Sequence, residues 1–139
     1  MSTTPVSVGR TRDRVVAVLT AVLAAALIRL VAGSVLDVDV RVPDGPGSTT
    51  SSPLPLVTVV VAVAVVALCG WGLLALLERF SRRGRTLWSV VACGILLLSL
   101  VAPLFAAGLS AGSRVTLVCL HVAVAAILIP LYTRSSREA

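Results

Sequence analysis

The sequence predicts an all-α fold: an integral membrane four-helix bundle, running up-down-up-down, with both termini on the cytoplasmic side. Three observations lead there. Apolar runs of about 20 residues recur four times, the length that a helix rising ~1.5 Å per residue needs to cross a hydrocarbon core of roughly 30 Å. Of the 139 residues 58% are hydrophobic and only 13% charged, roughly half the charge of an average soluble domain. The net charge of +6 is carried by arginines that flank the apolar runs. That placement favours membrane orientation over nucleic-acid binding, and no nucleic-acid partner is expected.

Residues 1–14 read as a cytoplasmic polar leader rich in Ser, Thr and Arg, expected to be poorly ordered. The first span covers about 15–36. A charged leader, this apolar stretch and the small cluster Val31-Ala32-Gly33-Ser34 also fit a secretory signal. Arg29 inside the stretch, and the length of the stretch, argue against it, and no cysteine follows Gly33 as lipoprotein processing would need. The outside loop, 34–55, begins with alternating residues from Val35 to Val42, expected to pair as a short strand or to lie at the interface. It continues as a flexible, turn-rich stretch from Asp44 to Pro53.

The second span, 56–77, ends in the charged segment Glu78–Arg85. The third, 87–109, is followed by a tight turn over Ser110–Arg114. The fourth, 115–132, is near the lower length limit for spanning and is expected to stand upright. Residues 15–134 thus form a single four-helix transmembrane domain, and 135–139 a cytoplasmic tail.

Positive charge is retained on the cytoplasmic side, so the flanking arginines set orientation. Arg10, Arg12, Arg14, Arg79, Arg82, Arg83, Arg85, Arg134 and Arg137 fall on one side; Arg41 and Arg114 fall on the other. The termini and the middle loop are therefore expected in the cytoplasm and the 34–55 loop outside the plasma membrane. Arg79, Arg82, Arg83 and Arg85 are expected to touch anionic lipid headgroups. Trp71, Phe80, Trp88 and Tyr132 lie near the same inner boundary, where amphipathic rings prefer to sit, and Phe105 lies toward the outer one.

Arg29 and His121 are the ionisable residues inside the spans, where such groups are functional candidates. Each lies at a depth of ~9 Å below the outer surface of the core. Ala21, Ala25, Arg29 and Ala32 share one stripe of about 80° at 100° per residue, and small residues mark close helix packing. Pro103 has no N–H and frees the carbonyl of Ser99, at nearly the same level. Two readings stay open. Arg29 snorkels to headgroups or to Asp37 or Asp39 while His121 satisfies a buried hydrogen bond. Alternatively, Arg29, Ser99 and His121 line a small outward-facing polar pocket for an anionic headgroup or small ligand. Cys69, Cys93 and Cys119 read as small apolar core residues, with no metal or disulfide spacing. Gly70, Gly72, Gly94, Gly108 and Gly112 read as points of close helix contact.

The strings CGWGLLALLER (Cys69–Arg79), SLVAP (Ser99–Pro103) and HVAVAAILIP (His121–Pro130) resemble a family of small four-span membrane proteins from high-GC Gram-positive bacteria, a domain of unknown function. The likeness runs from Arg14 to Arg134. It implies the four-helix fold and the plasma membrane, and brings no substrate, cofactor or catalytic residue.

Three function classes follow. A non-enzymatic membrane component, packing with itself, with lipid or with another membrane protein, needs only small-residue stripes and short loops. A small transporter, channel or ligand-binding protein comes second. Proton-coupled exporters of this size carry a membrane-embedded carboxylate, and none of Asp13, Asp37, Asp39, Asp44, Glu78 or Glu138 lies in a span core. A membrane enzyme comes third, because Ser99 with His121 lacks an orienting carboxylate. No cofactor is expected.

Overall fold

Long unbroken runs of apolar residues leave the backbone no water to bond to, and the helix is the local structure that satisfies its polar groups within one segment. A computed structural model of the chain describes residues 6–135. The expectations for 1–5 and for 136–139, Arg137 among them, lie outside the described residues. Four helices dominate: α1 (Val6–Ser34), α2 (Leu56–Phe80), α3 (Gly84–Phe105) and α4 (Ala111–Ser135). Between α1 and α2 lies an antiparallel hairpin of β1 (Arg41–Pro43) and β2 (Ser51–Pro53), with Val42 opposite Ser52. Of the alternating stretch only its last residues, Arg41 and Val42, pair as a strand, and their partner comes from the segment expected to be a flexible loop.

The helices differ from the sequence reading most at three boundaries. α1 begins at Val6, so residues 6–14 of the supposed leader are helical. α3 ends at Phe105 rather than near 109, just past Pro103, and Gly108 then turns the chain at a φ of 78°. A residue with a side chain is strained at that angle, and a Cβ there would also stand 2.8 Å from the Thr49 carbonyl oxygen. α4 starts at Ala111 because the Ser110 hydroxyl accepts the Ser113 N–H at 3.1 Å, an N-cap bond. At 25 residues α4 has length to spare, so the expected shortage is corrected.

α1 packs against α4 and α2, and α3 against the same two helices. The small-residue stripe of α1 forms its inner face: Ala17, Ala21 and Ala25 are fully buried and Ala32 nearly so. The interior divides into two layers. One, toward the chain termini, gathers Ala17, Ala21, Ala67, Leu74 and Leu128 around Trp88 and Tyr132. The other, toward the hairpin, includes Ala25, Ala32, Val59, Leu117 and Leu120, and is closed by Val40 and Leu54 from the loop. Gly112 lets that loop approach, since a Cβ there would stand 2.9 Å from Val38.

The outer surface is apolar. Leu19, Leu23, Val57, Leu97, Leu98 and Val115 all exceed half exposure. Each of the four helices is long and apolar enough to cross a membrane, and only 11–28% of its apolar window is buried inside the bundle. Surface of this extent is not left to water by a soluble monomer, and lipid is the solvent it fits.

Candidate functional site

The polar side chains fall at two levels, one at each end of the bundle. At the termini end, Arg14 is 4% exposed and its Nη2 donates to Glu78 Oε2 at 2.8 Å, an ion pair between the start of α1 and the end of α2. Its Nε donates to Ser135 Oγ at 3.4 Å, which adds the end of α4. Just below, the Tyr132 hydroxyl donates to the Ala67 carbonyl at 2.7 Å and Trp88 Nε1 to the Gly70 carbonyl at 2.9 Å. The two rings meet at 5.4 Å, tilted by 57°. Buried hydroxyl and indole groups need such partners where no water reaches. Trp88 and Tyr132 are thus interior residues rather than a boundary belt; Phe80, 78% exposed, alone fits that role clearly.

At the hairpin end, side chains hold backbone instead. Arg29 Nε donates to the Leu54 carbonyl at 2.8 Å, tying α1 to the segment that enters α2. The fully buried Ser113 donates to the Asp39 carbonyl at 3.0 Å and accepts the Arg41 N–H at 3.2 Å, fastening β1 to the start of α4. Arg114 donates to the carbonyls of Leu104 and, at 2.7 Å, Ala106, which lie at the end of α3 and lack helical partners of their own. Among the described residues no buried side-chain nitrogen or oxygen lacks a partner.

The three residues read as a pocket each bond elsewhere. His121 Nδ1 lies 2.7 Å from the Leu117 carbonyl of its own helix, and the Ser99 hydroxyl donates to the Leu96 carbonyl at 2.8 Å. No hydrogen bond joins Arg29, Ser99 and His121 to one another. Asp39, considered as a partner for Arg29, pairs with Arg41 at 2.9 Å, and Asp37 is exposed at a φ of 51°. Arg79, Arg82, Arg83 and Arg85 are all exposed around the α2–α3 turn. Cys69, Cys93 and Cys119 lie on the outer surface, which corrects their reading as core residues. Gly72 and Gly94 have open space around them, so close contact does not explain those two.

Arg14 and Glu78 form the buried ion pair that reading the sequence missed. Arg14 stands seven residues before Ala21 and Glu78 four after the buried Leu74, so each continues an interior stripe. In the hairpin, the hydroxyls of Ser52 and Thr50 and the charge of Arg41 hold the exposed Asp44 carboxyl below its ordinary value of 3.8. Among the described residues no group of three His, Cys, Asp or Glu side chains comes together.

No curated protein and no solved structure matches this sequence. The sequence profile of a family of unknown function, DUF6069, does match, over residues 6–138 and so nearly the whole chain, and the protein belongs to that family.

Proposed function

We propose that this is a multi-pass plasma-membrane protein of a bacterial cell, up-down-up-down, with both termini and the Glu78–Arg85 segment in the cytoplasm. It works as a non-enzymatic membrane component, through contacts of its outer surface with lipid, with a second copy or with another membrane protein. The observation that carries this reading is the apolar exterior, with no more than 28% of any span's apolar window turned inward. The interior supports it: its polar groups hold helices and loop together, and a carrier or enzyme would need some of them turned to a solute. Orientation rests on the exposed arginines at the α2–α3 turn, opposite the end that carries Arg41 and Arg114. The same arginines suit anionic lipid headgroups.

Cys69, Cys93 and Cys119 face outward and serve as native probes. Treating intact membranes with a short, membrane-permeant bis-maleimide is expected to give a discrete cross-linked product of defined mass. Monomer alone, together with solute flux in proteoliposomes, would favour a transporter instead.

A further inference from the structure

We propose that Arg29 binds the phosphate of an anionic phospholipid headgroup in the leaflet on the hairpin side. The inference rests on the membrane reading above and names a lipid partner for it. Arginine stays charged under all ordinary conditions, and a charge inside a span is costly unless an opposite charge or backbone carbonyls share it. Among the described residues the ion pairs are Arg14 with Glu78 and Arg41 with Asp39, so Arg29 has no carboxylate. The Leu54 carbonyl takes one of its N–H groups, and the opposite charge it lacks among the described residues is supplied by lipid.

Geometry says from where. At 100° per residue Arg29 sits about 75° round from the centre of the alanine face of α1, at the flank of the bundle rather than its axis. It is half-buried. Its Nη1 lies 2.5 Å from where a Cβ on Gly33 would stand, so the side chain runs along its own helix toward the hairpin end, over a residue with no side chain to block it. Four residues of helix are ~6 Å, which lifts the guanidinium from the ~9 Å depth of the Arg29 backbone to about 3 Å below the core surface. Phosphates stand just beyond. Val35 and Leu36, 73% and 64% exposed just past the end of the same helix, offer apolar surface where acyl chains begin.

The guanidinium is also held for the task. Its Nε is fixed on the Leu54 carbonyl, and the Nη1 and Nη2 edge makes the planar fork that grips phosphate oxygens in pairs. This replaces an internal pocket by a site on the lipid-facing flank.

The test uses the full chain carrying Leu36→Trp, reconstituted in phosphatidylcholine vesicles with a minor fraction of phosphatidylglycerol, one or the other lipid being brominated. Emission from Trp71 and Trp88 is subtracted using the chain without the added indole. Brominated phosphatidylglycerol is expected to quench the introduced indole with about fivefold preference over brominated phosphatidylcholine. Adding Arg29→Gln brings the two lipids to parity, and Arg29→Lys, which keeps a point charge, retains part of the preference. Equal quenching with Arg29 intact, or a preference that survives Arg29→Gln, overturns the site. Loss of the preference on adding inorganic phosphate also overturns it, because the ligand would then be a free anion. Quenching by neither lipid would instead show that the membrane reading had failed.

Discussion

At the termini end of the bundle Arg14 is buried against the carboxylate of Glu78, whereas at the hairpin end Arg29 and Arg114 give their N–H groups to backbone carbonyls. One residue type serves two purposes, and surroundings decide which. Arg14 is 4% exposed, and a guanidinium that dry needs a full opposite charge. Arg29 and Arg114 are only half-buried, and the groups that accept from them are backbone carbonyls rather than a carboxylate. The consequence is structural. The ion pair joins helix to helix, while the carbonyl-bound arginines join helix to loop and helix end.

Glu78→Leu tests this contrast most severely. It leaves Arg14 buried without its partner and is expected to cost about 3–5 kcal/mol, read from unfolding in mixed micelles of increasing SDS content. Replacing both partners, Arg14→Met with Glu78→Leu, should recover most of that loss; a double variant no more stable than Glu78→Leu would show that the pair is not the weight-bearing contact. Arg114→Met should cost less, about 2 kcal/mol, because water can reach some of the carbonyls it abandons. Its effect should appear as faster amide exchange at the end of α3. Ser113→Ala removes the bonds to the Asp39 carbonyl and the Arg41 N–H, at about 1 kcal/mol, and should raise proteolysis within the 37–55 segment while leaving the termini end intact.

The smallest effect is one of pH. The folded Asp44 carboxyl titrates below 3.8, so its contribution is present above that value and is lost as pH falls through the lower, folded one. An NMR titration should find the Asp44 carboxylate still ionised at the pH where an ordinary aspartate is half protonated. Ser52→Ala should move its midpoint back toward 3.8.

Much of the bundle could be read from residue order alone, because length and hydropathy determine spans locally. The alanine stripe of α1 was legible for the same reason: spacing at helical period fixes a face. Less could be said about which way the faces of α2, α3 and α4 turn. Trp88 and Tyr132 have the depth of boundary aromatics, yet rotate inward to bond the carbonyls of α2. Cys69 and Cys93 have interior chemistry and rotate outward. Depth follows from counting along one helix, whereas azimuth depends on which neighbours that helix finds. The start of α4 was available in the Ser110 and Ser113 spacing, a capping signal that an apolar-run reading passes over. The closure of the hairpin end by Val40 and Leu54 was not, since it joins segments through contacts between distant residues.

Sidedness is the most direct test, because it asks whether the two ends differ in the cell as they differ in chemistry. Ser48 lies in the hairpin turn and Ser81 in the turn between α2 and α3. With the three native cysteines replaced by alanine, Ser48→Cys should react with a membrane-impermeant maleimide on intact cells, and Ser81→Cys only after the membrane is opened. Equal labelling of both before opening, or labelling of Ser81→Cys alone, would contradict a bundle that crosses the bilayer with its arginine-rich end inside.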